Sequence, residues 1–314
     1  MKRILFLSIL IALTSVIHAQ EREFDKRFNK SSLELLLQKE DSLKEYATYL
    51  NTDSLQEDRM VSDSIFTKIL VRALQIPHSF YFPFDSVLGI SKQYAPDSSF
   101  RIFSWTISFD DYYSRQKGAI QMRTPDGKLK LFPLRDVSEF INNAQDSVRT
   151  PKNWIGATYY NIIKTTHQGK AYYTLFGIDP NNAMSTMKWM EVLHFSEKGE
   201  PLFGGPFFSY ERDSVPKPPK YRIHLEYKKD ARVLMNYIPE LDLILVDHLI
   251  SENDDPDNKR TYIPDGDQEG FKWEKGRWIH INKVFTLKLQ DGQAPLEKPI
   301  QSQGMPSKIP PRKN

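Results

Sequence analysis

The sequence has no cysteine. That absence excludes thiol catalysis, disulfide staples and every cysteine-ligated metal site. An exported eukaryotic chain of 314 residues ordinarily carries disulfides, so a cysteine-free exported chain fits a bacterial periplasm or outer surface. A large excess of either charge is missing too. The 43 Lys and Arg stand against 40 Asp and Glu, a formal net charge of +3. A near-neutral chain with interspersed charges has no electrostatic footprint for nucleic acid. Beyond the N-terminus there is no long hydrophobic run. G-x-G-x-x-G, Walker, G-x-S-x-G and H-E-x-x-H patterns are all lacking. Phe203–Phe208 holds two glycines, but Pro206 marks a turn rather than a phosphate loop. The 7 His are scattered.

What is present begins with a leader. Lys2 and Arg3 precede an apolar run, Ile4–Leu13, broken only by Ser8, and the stretch ends in Ala19. This is the layout of a cleaved secretory signal over residues 1–19. The run is too short to remain as a membrane span, so no stable transmembrane segment is expected after cleavage. No cysteine follows it, which closes the lipoprotein route. The remainder is long enough to bury about 75% of its unfolded surface without staples.

Residues 20–98 read as a helical region. Ser31 and Glu34 have capping-box spacing, and Leu33, Leu36, Leu43, Ala47 and Leu50 fall on one stripe. A second helix is expected from about Ser62 to Gln75, stopped by Pro77. Residues 99–290 read as antiparallel β. Phe103, Trp105, Ile107 and Phe109 alternate with Ser104, Thr106 and Ser108, which predicts a half-buried strand. Asp126-Gly127 marks a hairpin turn. Ser214–Lys220, with three prolines in seven positions, reads as an internal linker; it and residues 145–152 are points of subdivision. Short turns between the later strands favour an antiparallel meander over βαβ units. The expected fold is α+β, mainly antiparallel: two N-terminal helices, then about ten strands in a meandering sheet domain. Sandwich, open barrel and propeller-like closures all fit. Residues 291–314 read as a Pro-rich disordered tail.

The stretch Tyr262–His280, "YIPDGDQEGFKWEKGRWIH", poses a choice. Asp265, Asp267, Glu269 and Gly270 match the opening of a helix–loop–helix calcium loop. Its twelfth position is Gly276, which has no ligand, and Pro264 spoils the flanking helix. An irregular acidic loop, helped by Glu252–Asn258, is the remaining calcium reading; no other cofactor is expected. The hairpin reading accounts for more residues. With Lys275-Gly276 in a two-residue turn, Glu274 faces Arg277, Trp273 faces Trp278 and Phe271 faces His280, each pair contributing about 0.2–1 kcal/mol. The aspartates then form the turn entering the hairpin. The aromatic face is either core or an exposed sugar-stacking platform with Trp273 and Trp278 as its ligand-binding residues.

Two further groupings carry chemistry. His224 and Glu226 share a strand face, and Asp247 and His248 end another strand; strand pairing would let His224, Glu226 and His248 converge as metal ligands. The alternative is the wet face of a sheet. Asp110 and Asp111 are adjacent carboxylates, the kind of pair whose pKa values split for acid–base work.

Asp-Ser followed by an apolar residue recurs six times, placing Ser42, Ser54, Ser64, Ser86, Ser147 and Ser214 in one short motif. Roughly one occurrence is expected by composition. The motif is similar to the O-glycosylation sequon of exported proteins in Bacteroidota-type bacteria; Asp-Ser pairs also serve as helix caps and turn starts, which suits Asp63 and Asp213. Segments such as "FRIFSWTISFDD", "NWIGATYYNI", "KAYYTLFGID", "PLFGGPFF", "RIHLEY" and "LILVDHLI" together resemble an exported protein family of Bacteroidota-type bacteria across most of Phe100–Val284. The resemblance implies export and β-rich architecture and carries no activity. The expected function is that of a non-catalytic exported binding, scaffold or envelope-accessory protein. Its partner is an envelope protein or a glycan. The alternative is a periplasmic hydrolase of glycan or cell wall using Asp110, Asp111 and Asp247.

Overall fold

A computed structural model describes residues 28–140 and 144–285. The expected leader and tail lie outside them. Two helices come first, α1 (Lys30–Thr52) and α2 (Gln56–Leu74). Asn29, rather than Ser31, caps α1: its side chain accepts from the Ser32 N–H at 2.7 Å. Leu36, Leu43, Ala47 and Leu50 are buried, as their spacing predicts. Helix α2 starts at Gln56, well before the expected Ser62, with Glu57 and Asp58 in its first turn, where acids favour the positive end of the helix dipole. Asp63 is therefore no cap. It is buried in mid-helix, accepts from Trp105 Nε1 at 2.9 Å and pairs with Lys117.

Three sheets follow. The first orders β1 (Ser91–Tyr94), β2 (Phe100–Ser108), β3 (Ser114–Met122) and β4 (Lys130–Arg135) sequentially. The second joins β5 (Thr158–His167), β6 (Lys170–Asp179), β7 (Ser185–Phe195) and β10 (Arg222–Lys228), with β8 (Pro201–Phe203) also on β7. The third orders β11 (Met235–Ile238), β12 (Leu243–Ser251), β13 (Tyr262–Glu274), β14 (Arg277–Ile281) and β9 (Phe208–Ser209). All pairings between these strands are antiparallel except β14 with β9. The fourteen strands among the described residues exceed the expected ten; β1, four residues long, is too short to carry a periodic signal.

The sheets stack as open layers and close no barrel. Helices pack on the first sheet through Leu43, Phe66, Phe103 and Trp105. The first sheet packs on the second through Phe100, Ile102, Tyr159 and Leu175. The second packs on the third through Phe176, Met190, Ile244 and Trp278. This layering corrects the reading of β2 as half-buried: it is covered on both faces. Ser104, on the supposed wet face, is fully buried and accepts from the Tyr159 N–H at 2.9 Å; its small hydroxyl lets the second sheet approach. Described residues up to Val284 form one compact unit. Within it Ser214–Lys220 runs from β9 back to β10, and Lys220 bridges Phe208 with two backbone hydrogen bonds.

Candidate functional site

The Lys275-Gly276 hairpin forms in the expected register, with Trp273 opposite Trp278, Phe271 opposite His280 and Glu274 opposite Arg277. Lys275 and Gly276 have φ of 48° and 83°, the two positive values that a type I′ turn requires. Glu274 and Arg277, however, do not pair with each other. Glu274 holds Arg212 at 2.6 Å, and Arg277 stands 3.9 Å from Glu211, both partners on the segment after β9. Trp278 is core: it is buried and donates from Nε1 to Thr174 Oγ1 at 2.9 Å. Trp273 is half-buried, packs on Tyr172 and donates to the Thr166 carbonyl.

The acidic stretch is not a turn. It lies inside β13, paired to β12 with an irregularity between Asp247 and Leu249. Each acid meets a different basic side chain. Asp265 binds His248 at 2.8 Å, Asp267 binds Lys283 at 2.7 Å and Glu269 binds His280 at 3.2 Å. Among the described residues no three His, Asp or Glu side chains are grouped to hold a metal ion.

Between β10 and the third sheet lies a cavity of about 340 Å³. Strands β10, β12, β13 and β14 supply walls, and the β9–β10 connection and the Lys259–Tyr262 turn complete it. The cavity gathers His224, Glu226, Asp247 and His248, which the sequence had grouped as neighbours on two strands. Each is already engaged. His224 stacks on Trp189 and meets the Gln145 amide. Glu226 accepts from Ser185 Oγ at 2.6 Å and Asn181 Nδ2 at 3.2 Å. Asp247 accepts from the Leu234 N–H at 2.6 Å and Gln268 Nε2 at 3.2 Å. Asp110 and Asp111 line a different cleft with Asp53 and Arg59, so the structure does not bring them to Asp247. Asp110 instead holds its own turn, accepting from the N–H groups of Tyr112 and Tyr113.

The residues that sequence reasoning missed sit at one end of the cavity. Asp213, read as a turn start, accepts from His280 Nδ1 at 2.8 Å while Glu269 takes Nε2 at 3.2 Å. Burial alone depresses the His280 pKa, but the hydrogen bonds to Glu269 and Asp213 outweigh it, and the net shift is upward. An imidazolium donates to both carboxylates at once; a neutral ring donates to only one. Tyr210 packs on His280 and on Phe271. Burial pushes its phenol pKa up, and Glu269 and Asp213 reinforce the shift. Over the same Tyr210 ring stand the ammonium groups of Lys217 at 5.6 Å and Lys220 at 5.7 Å. Burial, then the charge of Lys217, lowers the Lys220 pKa. His224 is lowered by burial, against the opposing charge of Glu226. At the other end Lys259 lies 4.0 Å over the Tyr262 ring and donates to the Pro256 carbonyl. The one sequence signal for this arrangement was Lys-Pro-Pro-Lys itself.

The fold and site define a class: a helix-backed stack of three sheets with a charged, aromatic cavity at the edge strand β10. No family model matches the chain, and comparisons with curated proteins and with solved structures find no significant similarity.

Proposed function

We propose that the chain is an exported, non-catalytic binding module of the bacterial cell envelope, and that its ligand, a glycan or other polar envelope component, sits in the cavity beside β10. The observation that carries this reading is the engagement of the cavity's carboxylates. Glycoside hydrolysis needs one carboxyl group aimed at the leaving oxygen and a second aimed at the sugar or a water. Here Asp213, Glu269, Glu226 and Asp247 each accept from protein donors, and they share the lining with Lys217, Lys220, Lys259, Tyr210 and Tyr262. The test is a paired assay on the purified protein with cell-wall fragments and oligosaccharides. Thermal-shift binding without turnover supports the module. Turnover that is lost in Asp247→Asn or Glu226→Gln would establish the hydrolase instead.

Export is supported by the Lys2–Ala19 pattern, by the lack of cysteine and by the resemblance to an exported Bacteroidota-type family. N-terminal sequencing of protein from its host should begin at Gln20. Glycosylation at the Asp-Ser motifs is supported by exposure: Ser54, Ser64, Ser86, Ser147 and Ser214 are exposed, and Ser42 is half-buried. Ser42 and Ser64 lie within helices, whereas the other four lie outside helices and strands, which favours those four as acceptors. An intact mass equal to the bare polypeptide would remove this part of the reading.

A further inference from the structure

The geometry points to an oxyanion site: Lys217 and Lys220, held on the proline-stiffened strap between β9 and β10, grip the carboxylate, phosphate or sulfate of the ligand that enters the cavity. The inference rests on the binding-module reading and specifies what the module binds.

Three observations carry it. First, the strap is built to align two cations. Pro216, Pro218 and Pro219 fix φ near the polyproline value, and in that helix residues three apart lie on one face. Lys217 and Lys220 are three apart, and both ammonium groups converge on Tyr210, at 5.6 and 5.7 Å. Lys220 is further pinned by its two backbone hydrogen bonds to Phe208. Second, neither ammonium has a carboxylate within ion-pairing distance among the described residues. Two like charges beside one ring repel, and a bound anion relieves that repulsion. Third, the acids that line the same cavity already accept hydrogen bonds from protein donors. Asp213 and Glu269 clamp His280, Asp247 takes a backbone N–H, and Glu226 takes Ser185 and Asn181. The cavity therefore offers an anion two preset donors without requiring an existing ion pair to break. Strong pairing of each ammonium with an oxyanion is charge-assisted, and the stiff strap lowers the ordering cost of binding.

The experiment is calorimetric titration of the full chain with four probes: inorganic phosphate, inorganic sulfate, a galacturonate oligomer and a neutral oligomer of matching length. At least one anionic probe is expected to bind, with affinity falling as salt rises. Lys217→Gln/Lys220→Gln is expected to weaken that binding at least tenfold while the melting temperature stays near wild type. Lys217→Arg/Lys220→Arg should restore it. Binding of an anion that the glutamine variant leaves unchanged overturns the inference. Binding of the neutral oligomer alone also overturns it, yet leaves the binding-module reading standing. No binding by any probe counts against both.

Discussion

Glu191 on β7 and Arg222 on β10 face each other in register and share an ion pair of 2.9 Å, with side chains 1% and 0% exposed. The pair is fully hydrogen-bonded. Tyr159 donates to the other carboxylate oxygen at 2.7 Å, Trp154 donates to Tyr159, and Arg222 reaches the carbonyls of Phe203 and Ser147. Gly204, at φ +81°, leaves room for the guanidinium, since a Cβ there would stand 2.6 Å from it. Tyr159 is held neutral by burial and by the adjacent Glu191 charge. Removing one partner strands a buried charge. Glu191→Ala is expected to cost about 3–5 kcal/mol in urea unfolding, whereas Tyr159→Phe should cost about 1–3 kcal/mol. An unchanged midpoint for Glu191→Ala would contradict the network.

The two tryptophans of the last hairpin should separate cleanly. Trp278 is 1% exposed between the second and third sheets; Trp278→Ala is expected to cost about 3–5 kcal/mol. Trp273→Ala, at the half-buried edge, should cost markedly less and leave far-UV dichroism unchanged. Equal losses would mean that the hairpin face is not divided as described.

Docking of the helical pair depends on Asp63. In Asp63→Ala, Trp105 Nε1 and Lys117 both lose their carboxylate. A loss of about 2 kcal/mol is expected, and amide exchange should quicken over α1 and α2 before it does in the sheets. Uniform quickening across the chain would argue that the helices do not open as a separate layer.

Two groups should each make stability fall as pH rises from about 4 toward 8, against the opposite contributions of His194 and His224, whose pKa values burial lowers. Burial raises the Asp179 pKa from 3.8 to about 6, with the Asp136 charge adding to it against its hydrogen bonds. The folded state thus prefers the neutral acid, and that contribution is present below 3.8 and lost as pH climbs through about 6. His280 is raised above 6.5 by its two carboxylates despite burial; its contribution is present below 6.5 and lost above the raised value. Asp179→Asn should flatten the lower part of the profile and His280→Gln the upper part. Chemical unfolding at a series of pH values reads both, and an unaltered slope in either variant refutes the corresponding assignment.

The hairpin around Lys275-Gly276 was legible because turn chemistry and period-two alternation are local. The stripe of α1 was legible for the same reason. The start of α2 was misplaced because Asp63 resembles a cap in sequence, and only the packing of β2 and β3 against the helix reveals what it holds. β2 was misread on one face because Ser104 and Thr106 look solvated until a second sheet supplies their partners.

The chain's linear pattern determined the order of elements, the antiparallel preference and the register of the last hairpin. Each follows from dihedral limits and side-chain periodicity that neighbouring residues impose on one another. Tertiary structure alone decided which acids are spent and which cations are left over. Asp213 lies far in the chain from Glu269 and His280, and its hydrogen bond to the His280 ring depends on how the segment after β9 packs on β13 and β14. Electrostatic pairing acts over a few ångströms of space, which strand order and register set and sequence distance does not.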